Sequence, residues 1–332
     1  MTPTHAPVVL PTLLSPVSIQ VTGTPTALSA AQVAEIETVM KTTLAMGAGY
    51  GLDCNPCYEG DLYGAILRLV FHDAAGQESR LDGCVDFNEP DHNGLQEITG
   101  QLQAVWDKVG GAAILSFADL TAIATKVAVE MASTVSEFGD PEKVSDDTII
   151  NPLILPLKLG RIDALICNDE GLFPPSSFSW SQTSELFNTR FGLDETESVA
   201  LMGAHALGRA ELRFSGVSDM GWTDYQSSFG NRYFTDMIGI SWRLSDRFDV
   251  FEKGKVMLLR ADTELAISSQ ADCVKWDPGP EQKEGICPLN VPTLPVVRAF
   301  GGKGGTFLWW THFEAAFTKM VEANNPDLYS AV

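Results

Sequence analysis

Ten consecutive residues constrain this chain more than any others: Ala65-Ile66-Leu67-Arg68-Leu69-Val70-Phe71-His72-Asp73-Ala74. The stretch holds no Gly or Pro, and Leu67, Val70, Phe71 and Ala74 recur at helical spacing. On that helix Arg68 and His72 share one face, a turn apart. A guanidinium and an imidazole on a core-facing helix need a polar partner. A second stretch, Ser198-Val199-Ala200-Leu201-Met202-Gly203-Ala204-His205-Ala206-Leu207-Gly208, also reads as a helix with one His among apolar residues. Two such helices can sandwich a flat cofactor, one His as ligand and the other as acid–base group.

Composition narrows the partners. The chain has 332 residues, 45% of them hydrophobic, which allows one large domain or two lobes around a sizeable core. Its formal charge of −21 argues against nucleic acid and anionic membrane surfaces as partners. No run of about 18 apolar residues occurs, so no membrane span is expected. Residues Met1 to Gly23 lack a basic start and are broken by Pro7, Pro11 and Pro16, so no intact signal peptide is expected and the compartment stays open. Six cysteines permit 15 pairings, or free buried thiols. Cys273 and Cys287, flanking a Pro/Gly loop, are the favoured local bridge, and Cys54-x-x-Cys57 has no second pair at zinc-finger spacing.

Taken in order, residues 1–28 read as an extended arm. Ser29 and Gln32 form a capping box that opens a helix, stopped by Gly47 and Gly49. A Cys/Pro/Gly loop at 50–60 precedes the Arg68/His72 helix, which ends at Gly76. A polar stretch leads to a helix from Leu95 to Lys108, and Ser116 and Asp119 open a strongly apolar helix through Met131, expected at the centre of the fold. Residues 136–180 read mainly as loops, and a short helix spans Glu185 to Arg190. Asp194 and Glu197 cap the His205 helix. Residues 215–300 read as mixed loops and short helices, and Thr311 and Glu314 start a final helix. Strands are expected to be short, so the fold class is mainly α.

Leu67-Arg68-Leu69-Val70-Phe71-His72-Asp73-Ala74 resembles the distal helix of the plant, fungal and bacterial haem peroxidase superfamily, and Val199 to Gly208 resembles its proximal helix, particularly in the class I branch. Asp86 to Leu95 is similar to the cytochrome c peroxidase segment carrying a distal carboxylate and Asn. Gly216 to Trp222 and Phe229 to Phe234 resemble the loop after the proximal helix, and Arg260 to Leu265 the segment holding the proximal Asp. The blocks occur in the family's order over roughly residues 30–323. The resemblance implies a two-lobed haem peroxidase fold: a distal lobe over 29–170, a proximal lobe over 171–325 and a tail at 326–332.

It also implies one haem b per chain, with His205 as the iron's axial ligand and Asp262 bonded to the other ring nitrogen. Arg68 and His72 would be catalytic: His72 moves a proton between the two oxygens of hydrogen peroxide and Arg68 stabilises the departing one. Phe71, Asp86, His92 and Asn93 would form the distal surroundings. Trp222, matching the proximal Trp of class I, would either hold an oxidising equivalent with Asp262 as its N–H acceptor or serve as a core aromatic. Arg209 would contact a haem propionate.

Departures from the family pattern matter. His92 stands where the family usually has Asn, and Asn93 is one place off. Phe71 is a class II and III trait. Phe214 stands where ascorbate peroxidases carry an Arg, with Arg213 beside it, and Glu211 replaces a propionate-binding His, so ascorbate is not supported as donor. Asp73 matches a calcium-site Asp of classes II and III, but the residues after it do not match, so calcium is the weaker expectation and local capping the stronger. The expected function is reduction of hydrogen peroxide with one-electron oxidation of a donor, either a small reductant or a redox protein. Two rivals are a catalytically impaired subunit that keeps the fold, motivated by His92, and a weaker one, a small electron carrier.

Overall fold

The computed structural model describes residues 27–45, 59–76, 78–135, 152–167, 173, 175–217, 219–239, 242–245, 250–266 and 291–331. The expectations for the N-terminal arm up to residue 26, Gly47 and Gly49, Cys54 and Cys57, the loop at 136–151 and the Cys273–Cys287 bridge fall outside these residues.

The fold is mainly α. Helix α1 (Ala30–Ala45) starts where Ser29 and Gln32 exchange hydrogen bonds, so the capping box forms as expected. The distal-motif helix α2 (Glu59–Ala74) and α3 (Leu95–Lys108) pack on α4 (Phe117–Ser133). Helix α4 is the centre of this half: thirteen of its seventeen residues are buried. Its Ser116 cap accepts from Asp119 N, and Asp163 accepts from Phe117 N and Ala118 N at the same end. A carboxylate at a helix N-terminus satisfies donors that no turn above can reach.

The second half begins with α5 (Trp180–Phe191), longer than the expected turn and a half because Ser179 and Gln182 cap it reciprocally. Gly192, in left-handed conformation at φ 68°, ends it. Helix α6 (Glu195–Met202) opens on the Asp194/Glu197 capping box and packs against the last helix. The α-helix stops at Met202, and His205 sits on the 3-10 turn Gly203–Ala206 rather than inside the helix. Gly203 admits the Trp309 indole so closely that a Cβ would lie 2.5 Å from Nε1, while that Nε1 donates to Ala200 O. Helices α7 (Leu212–Ser215) and α8 (Arg232–Gly239) follow.

A three-stranded antiparallel sheet, β1 (Arg243–Leu244), β2 (Val250–Lys253) and β3 (Val256–Leu259), runs directly into α9 (Arg260–Thr263), which carries Asp262. Helices α10 (Leu294–Phe300) and α11 (Gly305–Glu322) complete the chain. The last helix begins six residues before Thr311. The Thr311 hydroxyl bonds back to Phe307 O inside the helix, so the S/T-x-x-E spacing there is no cap, and Gly304 at φ 71° starts the element instead.

Among the described residues, the helices before and after α5 are joined by several contacts, of which these are examples. Gly64 of α2 lies against Gly208, where a Cβ would come within 2.6 Å of the Gly208 Cα, so only glycine lets α2 approach the segment after His205. Arg161, buried, bonds Asp119 of α4 and donates to Val321 O of α11. Leu159 and Tyr329 exchange backbone hydrogen bonds, and Tyr329 Oη accepts from Leu28 N, so the C-terminal tail packs on the segment before α1 and on the segment at Leu159. A disulfide joins Cys84 and Cys167, whose Cα atoms are 5.4 Å apart.

Candidate functional site

Helix α2 brings Arg68 and His72 to one face, as the i, i+4 spacing requires. His72 is buried, and its Nδ1 has no hydrogen-bond partner. Burial, then the charges of Arg68, His92 and His205, holds its pKa well below the usual imidazole range, so it stays neutral in mild acid. The influence of His205 means that the two imidazoles of the paired motifs lie within electrostatic reach of each other. Arg68 is exposed to solvent but crowded by protein, and that crowding lowers its pKa to about 10. It remains a cation at neutral pH. Its Nη1 donates to Asn93 O and its Nη2 to Asp91 O, which ties α2 to the loop across from it.

That loop carries His92 on a 3-10 turn, Pro90–His92. His92 is fully buried and its ring centroid lies 5.0 Å from that of His72, while Asn93 is exposed and contributes only its backbone. His92 Nδ1 is 2.8 Å from Asp86 O. Asp86 therefore meets His92 through its main-chain carbonyl, while its carboxylate accepts from Asn88 N and Nδ2. Phe71 is half-buried and packs edge-on against Phe173 and Phe187. Phe173, which the sequence did not single out, stacks on His72 at 3.9 Å and 18°.

His205 lies on the turn after α6. Its Nδ1 bonds Asp262 Oδ1 at 2.8 Å, and Trp222 lies flat on the ring. Asp262 is fully buried and held by two further donors: Tyr233 Oη donates to the same Oδ1 at 2.7 Å, and Leu259 N to Oδ2 at 2.8 Å. The Trp222 indole is not among the donors to Asp262. Tyr233 holds the place expected for it. Burial and the Asp262 charge push the Tyr233 phenol well above its ordinary pKa, so it stays a donor. Tyr233 lies in the Phe229–Phe234 block, but spacing did not pair it with Asp262, 29 positions away.

Arg209 sits in a short backbone bridge with Gly221, beside Trp222. Arg213 is held by Glu97 and Glu211 and covers the Phe214 ring, which in turn rests on Gly94. Both oxygens of Asp73 accept from the backbone, Asp82 N and Gly83 N. It closes a loop there, and among the described residues no cluster of His, Cys, Asp or Glu is arranged to hold a metal ion.

The residues fit an iron macrocycle. With Nδ1 committed to a carboxylate, the second nitrogen of His205 is the one left to ligate, and a ligating His commonly donates its other N–H to a carboxylate. The facing side offers a neutral imidazole and a cation, one to accept a proton and the other to stabilise negative charge.

The family model described as "Peroxidase" matches residues 35–275, well over half of the chain. The chain is 28% identical to the mitochondrial cytochrome c peroxidase of Yarrowia lipolytica over 66% of its own length and 62% of that protein. It is 32% identical to cytosolic L-ascorbate peroxidase 2 of Oryza sativa, over 52% and 64% of the two chains. With L-ascorbate peroxidase 3 of Arabidopsis thaliana the figures are 30%, 52% and 55%. The chain thus spans less than two thirds of these relatives, and as little as 45% of another.

Proposed function

Since the chain belongs to the peroxidase family, we propose that it reduces hydrogen peroxide to water with haem b and oxidises a donor in one-electron steps. The observation that carries this reading is the pairing of two dissimilar imidazoles, one anchored by Asp262 and one buried, neutral and unpartnered at Nδ1.

Haem, when bound, supplies a redox-active iron with one face open to peroxide. The chain supplies the rest. His205 would hold the iron, and Asp262, by accepting from its Nδ1, would make it a more basic ligand. His72 takes a proton from the near oxygen of hydrogen peroxide on its Nε2 and delivers it to the far oxygen as the O–O bond breaks. Arg68 stabilises the negative charge on that departing oxygen, which leaves as water. Two electrons from the donor and two protons complete the reduction to a second water. Arg209 is the proposed propionate partner, and Trp222, stacked on His205, the proposed site for a transient oxidising equivalent.

The donor is not ascorbate in this proposal: Arg213 is engaged by two glutamates and Phe214 is packed on Gly94. The impaired-subunit reading finds its support in Phe173, which lies on the His72 ring. The test is direct. A purified protein with a Soret band that shifts on adding peroxide supports the enzyme, and a Soret band indifferent to peroxide supports the impaired subunit.

A further inference from the structure

The two halves of the Cys84–Cys167 disulfide differ in access: Cys84 is 8% exposed, whereas Cys167 stands in solvent. Thiol–disulfide exchange needs a sulfur that an attacking thiolate can reach, and Cys167 offers one. Beside it lies a pocket of about 160 Å³, lined by Leu69, Asp73, Gly83, Val85, Phe117 and Cys167. Side chains therefore do not pack solidly around the bridge, and the covalent bond is a main support of the loop that carries Cys84.

That loop holds the end of α2. Asp82 N and Gly83 N both donate to the carboxylate of Asp73, the residue after His72. Burial and the charges of Asp82 and Asp163 work against this carboxylate, and the two N–H groups oppose them. On its far side the loop is fastened to the segment before Cys167. Ala164 N donates to Asp82 O, and Gly83 admits Asp163 so closely that a Cβ would lie 2.9 Å from Oδ1. Asp163 is itself fixed on the first turn of α4, where it accepts from Phe117 N and Ala118 N. The bridge thus joins two loops, one gripping α2 and the other α4.

We propose that Cys84–Cys167 is a redox site of its own, which takes electrons from a dithiol and, once reduced, slackens the hold on Asp73 and on the turn of α2 that carries His72. A thiolate of the dithiol attacks Cys167 Sγ, the S–S bond breaks, and Cys84 leaves as a thiolate that takes up a proton. The second thiol of the dithiol then displaces Cys167, which is protonated in the same way. The dithiol ends as a disulfide, two electrons poorer, and the protein carries two thiols. The effect on peroxide, which alone rests on the peroxidase reading above, is a slower reaction at His72.

The haem-loaded protein is incubated without denaturant with dithiothreitol or with thioredoxin, then alkylated and digested. Cys84 and Cys167 should become alkylated together, and the faster reductant identifies the source as a small dithiol or a protein. Glutathione, a monothiol, should be trapped on Cys167 and not on Cys84. Hydrogen exchange in peptides spanning His72 to Cys84 should quicken at least about tenfold on reduction. The Soret response to peroxide should slow at least about threefold. The Cys84→Ser/Cys167→Ser double variant should show both changes without a dithiol, and a dithiol should add nothing to them. A bridge that stays oxidised, glutathione found on Cys84, or an exchange or Soret rate that reduction leaves unchanged overturns the proposal. A Soret band indifferent to peroxide in every form overturns the peroxidase reading instead, and the redox site then stands on its thiols and its exchange rates.

Discussion

Trp222 lies flat against His205, ring centroids 3.8 Å apart and planes within 2°. Contact at this spacing makes the indole a π neighbour of the proposed iron ligand without making it a hydrogen-bond partner of Asp262. Trp222→Phe should therefore keep haem bound and react with peroxide at a rate within about threefold of wild type, while donor turnover falls at least about tenfold. Single-turnover and steady-state kinetics on the same preparation separate the two.

Asp262 accepts from His205 and Tyr233 on one oxygen, so the phenol competes for the charge that polarises the ligand. Tyr233→Phe removes that competitor and should lower the reduction potential of the ferric form, measured by dye-coupled titration. Asp262→Asn should raise it, because an amide oxygen is the weaker acceptor.

His72 ties stability to pH. Its folded-state pKa is depressed, chiefly by burial, so the unfolded chain takes up a proton that the folded chain refuses. Stability from this group is full above the free-imidazole value of about 6.5 and is lost as pH falls below it toward the folded-state value. Melting temperatures read from pH 7 to 4.5 should fall on the acid side, and His72→Phe should flatten part of that slope.

Much of this arrangement was legible in the sequence, and the reason is locality. The Ser29/Gln32 and Asp194/Glu197 boxes and the Arg68/His72 face depend on residues three or four apart, whose partners are written beside them. The same rule failed at Thr311, because a hydroxyl inside a helix bonds backward as readily as one at its start. It placed His205 inside an α-helix when packing of Trp309 on Gly203 accompanies a tighter turn. Tyr233 on Asp262, Phe173 on His72 and Cys84 with Cys167 join distant positions, and spacing carries no trace of them.

The Cys84–Cys167 bond closes a loop of 83 residues between the segment after α2 and the segment after Arg161. Replacing both cysteines with serine should cost about 2–4 kcal/mol, read by denaturant unfolding. The buried Arg161–Asp119 pair is a different case. Burial works against the charge on both partners, so the pair adds little net, yet removing one partner strands the other. Arg161→Met should cost about 3–5 kcal/mol, whereas Lys158→Met, which loses a pair with a half-exposed lysine, should cost under about 1 kcal/mol.

The central claim is that His72 and Arg68 break the peroxide bond over an iron held by His205. Stopped-flow mixing of the haem-loaded protein with hydrogen peroxide, followed at the Soret band, tests it in His72→Leu and Arg68→Leu. The account predicts that both variants retain haem and react at least about a hundredfold more slowly than wild type. Rates equal to wild type in both would contradict it.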